Sequence, residues 1–569
     1  MRPVIAIALP LLVAAALSSC VPSAPSASFP AEIPHLEKRG EVTQLIVDGN
    51  PWLALACELK NSSSTSKEYM APIWESLQGK GLNTIIGSVA WEQIEPAEGQ
   101  FDFTAVDDMI EGARGAGMKL VLIWFASWKN GLTSYVPGWV QKDTGRFPLA
   151  MTSKGGRLPI LSTLGEASRD ADAKAFAALM RHIKEVDADR TVIMMQVENE
   201  VGLHGETRDH NPLAEEAFAS EVPAALTSWL AEHSQNLLPE TSGPWEAAGS
   251  RTSGTWTDVF GKGDAADEFF MAWNYASYID KVAEAGKAEY DIPMYVNAWI
   301  VQPTDLHPGD YPAGGPQAQC HDIWRAAAPH IDILSPDIYL ADYPGILAMY
   351  SRSGNPVFVP ESKAGMTGAA SAVWTFAHGG IAYSPFGLDA NLENPSNEPL
   401  YACYRALGSI SDKILEAQAE GRIAAAWLKG SDPEVLEQEF VLGDWKLLCS
   451  LVSSGGRNGG APTMLGGSVD SQSSGYVLAI DEGDGHMLVM GANARVQFRP
   501  ADGEGVANLS KVVEGSFEDG EWHPMRWLNG DEIQLRYDYL SCVEDKMSGM
   551  GLNFARPYPE FLSIDLYRY

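Results

Sequence analysis

Thr191 to Gly202 reads TVIMMQVENEVG. Val192 to Val197 is a short β-favouring run, apolar except for Gln196, and it ends in Glu198-Asn199-Glu200. Such a run folds as a buried strand with carboxylates at its C-terminal end. Pro356 to Ser362, PVFVPES, repeats the form and carries Glu361 at the same end. In a parallel β/α barrel that end of the strands is where the chemistry sits.

The rest of the chain supplies the other strands. Trp52 to Leu59 is the first, Leu82 to Trp91 the second and Lys119 to Ala126 the third. After the opening strand, the fourth, come Pro293 to Trp299, Ile331 to Tyr339, Pro356 to Glu361 and Gly380 to Phe386. Helical patterns alternate with them, at about 67–79, 105–116, 172–186, 264–285 and 402–419. In 172–186, Phe176, Leu179, Met180 and Ile183 recur at helical spacing. Eight strands alternating with helices predict an α/β fold, a (β/α)8 TIM barrel over 44–421, with a long insertion after strand four. From about Arg422 short alternating runs separated by Gly and Asp turns predict a C-terminal all-β, sandwich-like domain over 422–569.

The N-terminus differs from both. Arg2 precedes an apolar run from Val4 to Leu17, then Leu17-Ser18-Ser19-Cys20. This is a secretory signal, and it resembles a bacterial lipobox with Cys20 as the lipidated residue, giving a signal peptide over 1–20. Val21 is not acidic, which favours the outer membrane over the inner, so the expected location is periplasmic or outer-membrane, lipid-anchored. Residues 21–43 begin with a Pro/Ser/Ala-rich tether and read as a linker.

Composition excludes some partners. The net charge of −34 repels phosphate backbones and anionic membranes, so no nucleic acid is expected, and membrane contact comes only through the lipid. Six cysteines, at 20, 57, 320, 403, 449 and 542, form no metal motif. Cys57 reads as a packed thiol, and one disulfide among the later four is open. No metal and no cofactor is expected, and the oligomeric state is not readable.

Two carboxyls facing each other across a barrel cleft are what glycoside hydrolysis needs. A retaining enzyme places them roughly 5–5.5 Å apart, one ionised to attack the anomeric carbon, the other protonated first and then a base toward water. The negative nucleophile itself raises its partner's proton affinity. Strand alternation puts Glu198 and Glu200 on one face if the strand is regular. Taken alone, Glu200 and Glu361 each read as a strand-end carboxylate that caps a helix or pairs with Lys or Arg.

QVENEVG (Gln196 to Gly202) and VAWEQIEPAEGQFDF (Val89 to Phe103), in that family's order and with Glu361 on strand seven, resemble the β-galactosidases of glycoside hydrolase family 35, within the clan A barrel glycosidases. The resemblance covers about Gln44 to Gly421. It implies Glu200 as acid/base, Glu361 as nucleophile and Asn199 as the partner of the sugar 2-OH. Common members carry Trp-Asn-x-His-Glu-Pro after strand two. Here Glu92 replaces the Asn and Ile94 the His, the mark of a divergent bacterial branch with its own C-terminal β domain. The implied activity is retaining exo-hydrolysis of terminal β-galactosyl residues from oligosaccharides such as plant cell-wall fragments.

Further candidates for substrate contact are Tyr339, which can hydrogen-bond the nucleophile, Glu58 with Asn61, Glu92, Asn297, and Trp299 as a stacking surface. Each has a plain alternative as a rim or core residue. Trp128, Trp245 and Trp256 read as core or loop residues before subsite walls. Two rival functions also fit the sequence: another clan A β-glycosidase (a β-glucosidase or an endo-glycanase), and a non-catalytic carbohydrate-binding lipoprotein.

Overall fold

A computed structural model describes residues 32–430, 436–452, 474–518, 520–529, 533–536 and 548–569. Cys20, the signal segment and Cys542 lie outside them. Eight parallel strands alternate with helices: β1 (Ala54–Glu58), β2 (Thr84–Ala90), β3 (Lys119–Lys129), β4 (Val192–Asn199), β5 (Met294–Trp299), β6 (Ile333–Asp337), β7 (Val357–Ser362) and β8 (Gly380–Pro385). They form one sheet in the order β6-β5-β4-β3-β2-β1-β8-β7. Its ends meet through the parallel bridge Ile338–Ser362 and the bond from Ile338 N to Glu361 O at 2.9 Å, which closes the barrel.

Strand alternation sorts the core. Ala54 and Ala56 of β1, with Val121, Ile123 and Phe125 of β3, belong to the cluster inside the barrel, where Tyr295 and Phe358 also sit. Leu55 and Cys57, with Leu120, Leu122 and Trp124, belong to the outer cluster beneath the helices. The same parity aims Glu58 inward above Ala56. Leu45 and Val47, from the strand Val42–Val47, join the inner cluster. That strand pairs with His35–Arg39, so part of the span read as linker is a strand.

The barrel helices are α1 (Lys67–Leu77), α2 (Thr104–Gly115), α3 (Glu166–Val186), α4 (Asp264–Glu289), α5 (His321–Ala327), α6 (Tyr343–Tyr350), α7 (Gly365–Ala377), α8 (Glu398–Ser409) and α9 (Ser411–Glu420). The predicted helices match α1 to α4 closely, and 402–419 divides into α8 and α9. Gly421, at φ 67°, ends α9 in the left-handed turn that glycine adopts without a Cβ penalty.

Beyond Gly421 the described residues form two antiparallel sheets. One has six strands, from Ile423–Lys429 at one edge to Glu521–Trp527 at the other; the second has five. Between them pack Val477, Ala479, Val489, Leu562 and Ile564 against Leu447, Cys449, Val496 and Phe498, so the sandwich reading holds. The alternate residues of the first sheet, Trp427, Tyr476, Leu478, Met490 and Phe561, join the core beneath the barrel helices. Trp427 stacks on Tyr343 and donates from Nε1 to Ser371 Oγ of α7 at 3.2 Å. This sheet is covered on both faces. Cys57, Cys320, Cys403 and Cys449 are buried free thiols, so no disulfide joins Cys320, Cys403 and Cys449.

Candidate active site

The C-terminal ends of β1, β3, β4, β6 and β7 bring together Glu58, Lys129, Glu200, Asp337 and Glu361, all less than a tenth exposed. Four carboxyls and one ammonium therefore share a nearly dry site.

β4 is not regular where it delivers them. Glu198 and Glu200 both have positive φ, 64° and 45°. Non-glycine residues rarely adopt that region, and strain of this kind gathers at functional sites. It separates two side chains that regular alternation places on one face. The Glu198 carboxylate accepts from the amides of Ser127 at 3.0 Å and Trp128 at 2.8 Å and meets Asp172 of α3. Asp172 in turn accepts from Trp124 Nε1 at 2.8 Å and from Ser127 Oγ. That carboxyl pair is closed by protein donors. Glu200 instead faces the cleft carboxyls.

Asn297 holds Glu200 in place. Its Oδ1 accepts from Glu200 N at 2.9 Å and Gln196 Nε2 at 3.0 Å. Its Nδ2 donates to Asn199 Oδ1 at 3.2 Å and Asp337 Oδ2 at 2.7 Å. An amide offers two acceptor sites and two donor hydrogens, so Asn297 is filled by protein and supports the site instead of contacting a ligand. Asn199 accepts from Gln196 Nε2 at 3.0 Å and donates to Asn130 Oδ1 at 3.3 Å.

Glu361 accepts from Tyr339 Oη at 2.8 Å through Oε2, while its Oε1 has no donor among the described residues. Burial raises its pKa, and the Lys129 charge and the Tyr339 hydroxyl work against the rise. Burial and then the Glu361 charge push Glu200 up to about 7, with Lys129 and a contact to Asp337 opposing. Burial raises both carboxyls, and Glu200, near 7, lies where a general acid works at neutral pH.

Glu58 is 1% exposed, and neither of its oxygens has a partner among the described residues. Burial, then the Glu361 charge, hold its pKa well above the carboxylate range, against Lys129. A buried carboxyl with no donor is costly, and ligand sites are where such costs persist.

Trp299 is 36% exposed at the end of β5, edge-on to His204. Glu92 is exposed on the short helix Trp91–Ile94, beside Tyr135 and apart from the buried carboxyls. Asn61 gives its backbone carbonyl to Ser88 Oγ at 2.6 Å. Trp128, Trp245 and Trp256 are buried core residues. No group of His, Cys, Asp and Glu among the described residues is arranged to hold a metal ion.

Sequence reasoning passed over Lys129 and Asp337. Asp337 stands two residues before Tyr339, on the same side of β6, so alternation stepped back from Tyr339 would have found it. The third strand as read from sequence stops at Ala126, short of Lys129. β3 runs on to it through a register shift between Trp124 and Lys129, and Lys129 pairs with Asn199.

Residues 61–260 match a β-galactosidase family model, that of glycoside hydrolase family 42, and residues 400–538 match a domain of unknown function, DUF5597. A β-galactosidase of Arthrobacter sp is 27% identical over 183 residues, covering 31% of this chain and 23% of its own. A β-galactosidase of Xanthomonas manihotis is 29% identical over 213 residues, covering 36% of this chain and 32% of its own. The matched part thus spans between about a quarter and a third of the length of these relatives. Among solved structures, the β-galactosidase of Bacillus circulans sp. alkalophilus aligns with 64% of this chain and 57% of its own at 16% identity, TM-score 0.43. The β-amylase catalytic domain of Paenibacillus polymyxa aligns with 60% and 94% at 12% identity, TM-score 0.42. The resemblance to clan A β-galactosidases stands, and its assignment to family 35 does not. The segment where Glu92 and Ile94 break that family's pattern lies inside the family 42 match.

Proposed function

We propose that this chain is a retaining exo-β-galactosidase acting by double displacement, with Glu361 as nucleophile and Glu200 as acid/base. The observation that carries the reading is the unequal treatment of two buried carboxyls on β4 and β7. Burial raises both; Glu200, at about 7, carries a proton into the reaction, while at Glu361 the rise is opposed by Lys129, which acts on both, and by the Tyr339 hydroxyl, which bonds Glu361 alone.

In the first step Glu361 Oε attacks the anomeric carbon as the bond to the leaving oxygen breaks, and the Glu200 proton passes to that oxygen. In the second step water attacks the same carbon, its proton goes to Glu200 and the bond to Glu361 breaks. Asn199 serves the 2-OH, Glu58 and Lys129 the remaining hydroxyls, and Trp299 an apolar sugar face. The substrates are β-galactoside oligosaccharides, plant cell-wall fragments among them. The enzyme works in the periplasm or at the outer membrane, tethered through lipidated Cys20.

The test is turnover of nitrophenyl β-galactoside by the purified full chain beside Glu200→Gln and Glu361→Gln. The expected result is loss of at least ~10³-fold in kcat for Glu361→Gln. For Glu200→Gln the loss is expected to be greater on a poor leaving group than on a nitrophenyl one. Full activity in Glu361→Gln overturns the mechanism. Turnover confined to another glycoside overturns the sugar, and binding without turnover favours the carbohydrate-binding reading.

A further inference from the structure

We infer that His204 and Trp299 form the subsite for the leaving group, and that the group they take is a second pyranose ring. The preferred substrate is then a galactosyl disaccharide unit, an inference that rests on the acid/base reading of Glu200 and deepens it.

Strand parity places Trp299. Tyr295, Asn297 and Trp299 share one face of β5. Tyr295 belongs to the cluster inside the barrel, and Asn297 holds the Glu200 amide at 2.9 Å. Trp299 is the next residue on that face, ~6.5 Å further along the strand. Exposure rises from 1% at Asn297 to 36% at Trp299, so the indole stands at the mouth of the site, above the residue that fixes Glu200.

His204 reaches the same place from the segment after β4, four residues past Glu200. Its half-buried ring meets Trp299 edge to face, with centroids 5.7 Å apart at 75°. It also packs on Gly131, at φ 65° in the turn after β3, where a Cβ would stand 2.6 Å from His204 Cδ2. The Gly131 N–H donates to the Glu200 carbonyl at 3.1 Å. One turn therefore seats both the imidazole and the acid/base peptide. Neither ring nitrogen of His204 bonds another group among the described residues. Burial lowers its pKa, against the Asp305 charge, so the ring is neutral at pH 7 and offers one donor and one acceptor.

The reaction decides which part of a substrate meets this pair. Glu200 hands its proton to the leaving oxygen, so the leaving group lies on the Glu200 side of the anomeric carbon, with Glu361 across from it. Glu58 and Asp337, at 1% and 3% exposure, mark the closed floor that takes the galactosyl ring. The group beyond the leaving oxygen points to the open mouth and passes His204 and Trp299. A pyranose fits both. Its C–H face lies against an indole, and its hydroxyls donate and accept as a neutral imidazole does. A plain alkyl group would leave the imidazole unbonded, and an anionic one would meet the site's four carboxyls.

The experiment measures galactose release by the full chain, His204→Ala and Trp299→Ala. The substrates are methyl β-galactoside and two β-galactosyl disaccharides, with glucose or xylose as the leaving sugar. All three have poor leaving groups and need the Glu200 proton, but only the disaccharides extend beyond it. The full chain is expected to show kcat/KM at least ~10-fold higher on a disaccharide than on the methyl glycoside. Each variant is expected to lower the disaccharide value about tenfold more than the methyl value, the worth of one ring contact or hydrogen bond. Equal losses on both kinds of substrate overturn the inference, because a residue that acts through Glu200 or through the fold affects them alike. Equal kcat/KM for methyl galactoside and disaccharides in the full chain overturns it without any variant, so the test stands even if His204→Ala does not fold. A full chain silent on every galactoside overturns the galactosidase reading and this inference with it; turnover of methyl galactoside alone overturns only the inference.

Discussion

Glu198 and Glu200 stand two residues apart and meet different partners because the chain turns left-handed at both, at the end of β4 and just past it. No residue type announces that turn; a glutamate at φ 64° is fixed by the amides of Ser127 and Trp128, donated from the neighbouring strand. Alternation therefore identified the glutamates and misjudged where Glu198 points. Glu58 was legible for the opposite reason, since β1 is regular and Ala54, Ala56 and Glu58 share its inner face. The Tyr339–Glu361 bond carries a prediction at this scale. Tyr339→Phe removes a donor to an anion, so the Glu361 pKa rises and the acid limb of kcat/KM moves to higher pH. The loss of a charge-assisted bond of about 1.5–3 kcal/mol lowers kcat/KM by ~10- to 100-fold at neutral pH. Steady-state kinetics across pH check both sign and size, and an unmoved acid limb excludes Tyr339 as a support of the nucleophile.

The eight strands were legible as elements because each is a short apolar run between polar flanks, and the helices because their apolar positions recur at helical spacing. The loops that wall the site were not, since their structure comes from pairing with each other. Leu203 and Ala313 exchange two backbone bonds, at 3.0 and 2.9 Å, joining the segment after β4 to the one after β5. Gly202 makes that approach possible: its φ is 139°, and a Cβ there would stand 2.4 Å from Pro312 Cβ and 2.6 Å from the Pro312 backbone. Gly202→Ala is expected to push the two segments apart two residues from Glu200. It should lower kcat/KM by about tenfold or more while costing only ~1–3 kcal/mol of stability. Kinetics beside thermal unfolding check this, and unchanged kcat/KM removes the joined loops from the catalytic account.

At the scale of the molecule, the acidic composition said what the chain avoids and nothing of how its halves meet. Tyr476-Val477-Leu478-Ala479-Ile480 reads as a strand from sequence, but not as one buried on both faces. Its even residues fill the barrel-side core, Tyr476, Leu478 and Ile480, and its odd ones the sandwich. Trp427→Ala, which empties the stack on Tyr343 and the bond to Ser371, is expected to cost about 3–5 kcal/mol. Because α7 follows β7, that loss is expected to lower the unfolding temperature of barrel and sandwich together in one transition, measured by calorimetry. Two separated transitions would show the halves to be independent. The closure of the barrel has its own consequence. Its seam is drawn through Glu361, the proposed nucleophile, since the Ile338 amide that completes the ring is held by that residue's carbonyl. The same peptide that presents the carboxylate fastens the two edges of the sheet. Solvent deuterium reaching that amide thus counts the moments when the ring parts, and each of them is a moment when Glu361 has lost its footing.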